Sequence, residues 1–312
     1  MTRRIVFACP FPHDQIAGGI RHTYRHAELL ADRGIEAMVF SPRGHPSWFR
    51  SEAPVVTDPG FRFRPDDIVV INEIVSEVSL NFLRLPCEKQ MFCQNQFYSF
   101  GPFLGLKDHA ELGISQVYGS SRSIRDFYRQ VYGYTDIDIV PYAIDGTLFK
   151  PAAKRMQIAY IPRKLPFEAS FIQAAFQKSH PRYRTLPWIA VENRSEEETA
   201  AIMAESAVFL ALGHRDSFGL TAVEAMSAGC AVVGLHGGGG LEYARPDNGR
   251  WFHADQLLEC TAALGAVVRG LEQNDPEILA VAAQGRQTAA GYNRDATLAA
   301  LAAHFFPDGH VR

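Results

Sequence analysis

The chain has 312 residues, of which 47% are hydrophobic and 21% charged, and a formal net charge of -3. This is the composition of a soluble globular protein; the length favours two domains over one, and the near-neutral balance argues against nucleic acid as a partner. No run of about 18 apolar residues occurs, so no membrane span is expected. Five cysteines (Cys9, Cys87, Cys93, Cys230 and Cys260) without C-x-x-C spacing read as buried thiols in a reducing cytosol.

The basic and then apolar start of the chain stops at Pro10, too early for a signal peptide, so residues 4–9 read as a first buried strand. A loop through Gly18-Gly19 follows, then a helical pattern over 20–33 stopped by Gly34, then a strand over 35–40, which makes a βαβ unit. Residues 67–72 and 89–93 read as further parallel strands, 116–119 leads into a helix over 123–132, and 138–141 reads as a strand. A second series begins at 157–161 and continues with a helix at 166–177 and a strand at 188–192. A helix at 195–206 opens with a Ser195/Glu198 capping box. A strand at 208–212, a helix at 221–228 and a strand at 231–235 complete it. Short apolar strands alternating with helices imply parallel sheets covered on both faces. The tail, 293–306, spaces Leu298, Leu301, Ala302 and Phe305 as one helix face.

Residues 216–224 read Asp-Ser-Phe-Gly-Leu-Thr-Ala-Val-Glu, followed by Ala225-Met226-Ser227-Ala228-Gly229 and an apolar run to Leu235. Two carboxylates eight positions apart bracket a glycine turn that opens a helix, and helix N-termini suit phosphate and hydroxyl ligands. The segment resembles the signature of retaining, GT-B-fold glycosyltransferases of family 4 (glycosyltransferase group 1), with Asp216 standing where that family has Glu. Residues 141–151, Pro-Tyr-Ala-Ile-Asp-Gly-Thr-Leu-Phe-Lys-Pro, resemble the segment that closes the family's first domain.

The resemblance implies an α/β, GT-B fold: two Rossmann-like domains facing across a cleft. It divides the chain into an acceptor-side domain over 1–150, a donor-side domain over 151–291, and a terminal helix over 292–312 crossing back to the first domain. It implies a hexosyltransferase-type enzyme that moves a sugar from a nucleotide-diphosphate donor to a hydroxyl acceptor, with retention, without metal and with no cofactor. The partners would be a nucleotide sugar and a glycan or lipid-linked acceptor. The setting would be cytoplasmic, at the inner face of the membrane if the association is peripheral.

By the same resemblance Arg163 and Lys164, after the first strand of the second domain, would neutralise the departing diphosphate. Asp216 would bind hydroxyls of the transferred sugar, and Glu224 the ribose hydroxyls. Ser217, Phe218, Gly219 and Leu220 would shape the donor site, with the Phe218 side chain as core. Gly18 and Gly19 would lie against the donor sugar and diphosphate, with Asn95, Gly239, Gly240 and Glu242 as loop contacts. Asn95 follows Gln94 where the family often has His.

Three other features carry less. Asp136-Ile137-Asp138 has the form of a metal-binding D-x-D but lacks a supporting pattern. His22 and His26 are four apart on a helix without a third ligand, and read as surface histidines. Ser120-Ser121 lacks the context of a nucleophile elbow. Two further readings stay open: a non-catalytic partner subunit of the same fold, and a sugar-nucleotide epimerase or hydrolase, for which Asp14 is the carboxylate near the first glycine loop.

Overall fold

The structure, a computed structural model, describes residues 3–74, 77, 79–101 and 105–307. It divides into two compact units, one of residues 1–143 with 294–312 and one of residues 144–293. The stretch 141–151 spans the divide.

In the first unit the strands are β1 (Ile5–Ala8), β2 (Ala37–Phe40), β3 (Val55–Val56), β4 (Ile68–Asn72), β5 (Glu88–Cys93), β6 (Ile114–Gly119) and β7 (Asp138–Ile139). Its helices are α1 (Gly18–Ala31), α2 (Ser79–Leu83) and α3 (Arg122–Val131). Among the described residues the strands form one parallel sheet in the order β3-β2-β1-β4-β5-β6-β7. Val6, Val69, Ile71, Met91 and Val117 project from it into a core closed by Ile124 and Tyr128 of α3. The order reverses between β1 and β4, the place where ligands of open α/β sheets collect beyond the strand ends.

The second unit holds β8 (Arg155–Tyr160), β9 (Trp188–Ala190), β10 (Ser206–Asp216), β11 (Ala231–Gly238) and β12 (Arg250–Phe252), with α4 (Pro166–Ser179), α5 (Glu196–Glu205), α6 (Leu220–Ser227), α7 (Leu257–Glu272) and α8 (Pro276–Ala290). Its sheet, also parallel, runs β12-β11-β10-β8-β9 and reverses between β8 and β10. Ile158, Val208, Leu210, Val233 and Leu235 meet Ile172 and Phe176 of α4 and Leu264 and Val268 of α7. The capping box closes: Ser195 accepts the Glu198 N–H and the Glu198 carboxylate accepts the Ser195 N–H.

The last helix, α9 (Arg294–Phe305), packs on the first unit. Arg294 reaches Glu28 at 2.7 Å and Asp32 at 2.8 Å, Thr297 donates to the Pro141 carbonyl, and the Phe305 ring meets Phe7 edge-on. His304 bonds Asp138 at 2.6 Å, which gives that carboxylate a partner in the fold. All five cysteines are free and buried. Among the described residues no helix is long and apolar enough to cross a membrane.

The strands β10 and β11 run further than their apolar stretches. Both continue past Leu212 and Leu235 through His214-Arg215-Asp216 and His236-Gly237-Gly238. Pairing there is a matter of backbone approach: a Cβ on Gly213 would lie 2.7 Å from the Leu235 carbonyl oxygen, so only glycine permits it. His22 and His26 are not surface residues. They are 1% and 0% exposed, because α1 is covered on both faces by its sheet and by α9. Burial depresses both imidazoles, His26 to about 3, so they are neutral near pH 7.

Candidate functional site

The reversal point of the second sheet collects most of the residues singled out above. Arg163 and Lys164 follow β8 in the exposed turn before α4, and Asp216 ends the neighbouring strand β10. Lys164 Nζ forms an ion pair with Asp216 Oδ1, and Asp216 Oδ2 accepts the His214 N–H at 3.1 Å. Arg215, just before Asp216, has φ +47°, a left-handed conformation that aims the strand end sharply. The two groups expected to face sugar and diphosphate are thus already in contact.

After Asp216 the chain turns into α6. Ser217 and Phe218 are buried, and Gly219 caps the helix at φ +84°, a conformation suited to glycine. Leu220 begins the helix, half-buried. Glu224, one turn in, is only 3% exposed. An ordinary solvated helix glutamate would be far more open, and burying a carboxylate requires compensating partners. The Phe218 ring packs edge-on against Tyr243 and Tyr292 at 5.2 and 4.9 Å, which makes it core, as its side chain was expected to be.

The glycine run is built into the wall of the site. Gly239 and Gly240 are buried in a short 3-10 turn, Gly239–Glu242. A Cβ on Gly239 would sit 2.3 Å from the Phe218 nitrogen and 2.4 Å from the Asp216 carbonyl oxygen, so this backbone lies directly on the 216–218 turn. Tyr243, which the sequence reading passed over, joins the two: its buried hydroxyl donates to the Gly219 carbonyl at 2.7 Å. Asp216 and Glu224 both act on the Tyr243 hydroxyl electrostatically, so the three residues form one neighbourhood. Glu242, half-buried, lines with Tyr243, Arg245, Asn248, Thr288 and Tyr292 an open depression of about 420 Å³.

The first unit carries Gly18, Gly19 and Asn95. Gly18 and Gly19 form the first turn of α1 itself, and the Gly19 carbonyl accepts from Thr23 at 2.9 Å and from Gln94 Nε2 at 3.0 Å. Asn95 Oδ1 caps the following turn by accepting the Phe97 N–H, while its own N–H donates to Glu73 at 2.8 Å. Asp136 is exposed, and among the described residues no three His, Cys, Asp or Glu side chains gather as a metal site.

Residues 189–268 match the family model described as glycosyl transferases group 1. The chain is 28% identical over 243 residues to an alpha-1,6-glucosyltransferase of Actinobacillus pleuropneumoniae, covering 74% of this chain and 72% of the relative. Among solved structures, a glycosyltransferase of Rickettsia africae superposes with a TM-score of 0.71 at 12% identity, over 97% of this chain and 98% of the other. The Anabaena HepE protein in complex with UDP-glucose gives 0.70 at 14% identity, over 96% and 98%. At such identities these two likenesses concern the fold.

Proposed function

We propose that this chain, a group 1 glycosyltransferase of GT-B fold, moves glucose from UDP-glucose to a hydroxyl of a glycan or lipid-linked acceptor, with retention and without a metal ion. The observation that carries the reading is the Lys164–Asp216 pair at the reversal point of the second sheet, beside the buried Glu224. A nucleoside diphosphate needs cations for its phosphates and a carboxylate for its ribose hydroxyls. Lys164 exchanges its Asp216 partner for the diphosphate, which leaves the Asp216 carboxylate to accept hydroxyls of the sugar. Arg163 and the first turn of α6 add positive potential where negative charge grows as the leaving group departs. Glu224 holds the ribose. Retention and metal independence rest on the resemblance of residues 216–235 to the retaining family. The choice of UDP-glucose follows the relative's glucosyltransferase name and the UDP-glucose complex of the Anabaena protein.

The test is thermal stability in UDP, GDP, TDP, ADP and CMP, followed by turnover of UDP-glucose with and without EDTA. Saturation at a hundredfold excess over Kd adds about 2.7 kcal/mol to the fold, a clear shift. The product's anomeric configuration is read by NMR. No nucleotide-dependent shift and no turnover would defeat the reading and favour a non-catalytic partner subunit. Release of free glucose alone, with no acceptor able to compete, would favour a hydrolase.

A further inference from the structure

Glu73 directly follows β4, at the reversal point of the first sheet, and the sequence reading passed it over. Its side chain is buried; Oε1 accepts the Asn95 N–H at 2.8 Å, while Oε2 has no hydrogen-bond partner. Gln94, at the end of the adjoining strand β5, repeats the pattern: Nε2 donates to the Gly19 carbonyl and Oε1 lacks a donor. A third unsatisfied group borders them. Both ring nitrogens of His22 are unpartnered, and the ring lies 4.3 Å from that of Tyr142, whose hydroxyl donates to the Gln94 carbonyl at 3.5 Å. The segments that carry Glu73 and Gln94 reach the surface within a few residues: Ile74, next along the chain, is 41% exposed, and Phe97 54%. Buried acceptors without donors are costly and demand an explanation. Two such oxygens, Glu73 Oε2 and Gln94 Oε1, at the strand ends where such sheets bind ligands, with the unpartnered His22 ring on α1 beside them, point to donors that arrive with a ligand.

We propose that Glu73 Oε2, together with Gln94 Oε1, forms a hydroxyl-binding subsite of the first unit that takes hydroxyl groups of the sugar or polyol acceptor. Carboxylate and amide oxygens, with no cation among the influences on Glu73, select neutral O–H donors over phosphates. Burial pushes the Glu73 carboxyl up to about 7 despite the facing N–H groups of Gln94 and Asn95. The other titratable groups that face it, the Cys93 thiol and the Tyr128 hydroxyl, are themselves pushed up by burial and carry no charge. Glu73 therefore gains its full hydroxyl-accepting capacity as pH rises through neutrality. The proposal rests on the glycosyltransferase reading and adds to it the residue that meets the acceptor.

Glu73→Gln keeps the side-chain length and an oxygen for the Asn95 N–H but removes the carboxylate. Transfer from UDP-glucose is measured with glucose, methyl α-glucoside, maltose and glycerol as acceptors, and UDP affinity is measured separately. The expected result is an acceptor KM raised at least tenfold, an unchanged UDP Kd, and loss of the rise in acceptor kcat/KM near pH 7. A folded E73Q protein with the wild-type acceptor KM and pH profile overturns the proposal. If E73Q does not fold, Gln94→Ala is held to the same KM criterion. A wild-type protein that binds UDP but transfers to none of the four acceptors also counts against it. Failure of the wild type to bind UDP at all brings down the glycosyltransferase reading itself.

Discussion

Asp216→Asn separates a structural role of this residue from a chemical one. The change is isosteric, and the amide oxygen still accepts the His214 N–H now held at 3.1 Å. What is lost is the charge facing Lys164. The lysine side chain is 34% exposed and the aspartate 16%, so the pair is screened by solvent. Such pairs contribute about 0.2–1 kcal/mol, and unfolding stability should fall by no more than that. A carboxylate that accepts a sugar hydroxyl contributes more, about 1.5–3 kcal/mol for a charged hydrogen bond, which corresponds to roughly a 10- to 150-fold loss in kcat/KM. Bare UDP lacks the sugar, and with Lys164 released from its partner its affinity should hold or improve. The assay is UDP release from UDP-glucose with a sugar acceptor, alongside calorimetric titration of UDP and urea unfolding. Wild-type turnover by the folded mutant, or a loss of activity matched by weaker UDP binding, would refute the sugar-contact reasoning and leave Asp216 as a turn residue.

Other outcomes are expected from the same geometry. Glu224→Ala should weaken UDP binding by about 1.5–3 kcal/mol if its buried carboxylate holds the ribose; titration with an unchanged Kd would end that role. Gly239→Ala drives a Cβ into the backbone of residues 216–218 at 2.3–2.4 Å, so nucleotide affinity and melting temperature should drop together, by at least the roughly 1–3 kcal/mol of an overpacked core; an unperturbed melting curve would show that the two loops are not in contact. The raised Glu73 carboxyl makes the fold pH-dependent. Its folded value near 7 lies above its ordinary 4.5, so the protonated form is favoured in the folded state. The wild type is then unpenalised below about pH 4.5 and loses stability as pH rises toward 7, by up to about 3 kcal/mol. Glu73→Gln should flatten this part of the urea-unfolding profile between pH 5 and 8, and parallel profiles for the two proteins would contradict it.

The chain order of most elements, and the turn-helix-strand course of the 216–235 segment, were legible in the sequence. Short apolar strands between helices can be buried only in covered parallel sheets, and the 216–235 segment carries its turn, helix start and strand within one local stretch. The capping box and the buried thiols are likewise local or compositional facts. Helices α7 and α8 and the short edge strands β3 and β12 fell outside that reading; strands of two or three residues leave too little periodic signal to be read. What tertiary structure alone decided is which distant groups meet. Lys164 and Asp216 are 52 residues apart and touch because β8 and β10 are neighbours at a strand-order reversal. His22 and His26 are buried because sheet and terminal helix cover α1 from both sides, and a polar residue's own letter does not reveal that. Glu73 and Tyr243 sit in no motif. Their significance arises from burial, from one oxygen left without a donor and from one hydroxyl bridging two loops. These are properties of a packed interior, and no local pattern in the chain encodes them.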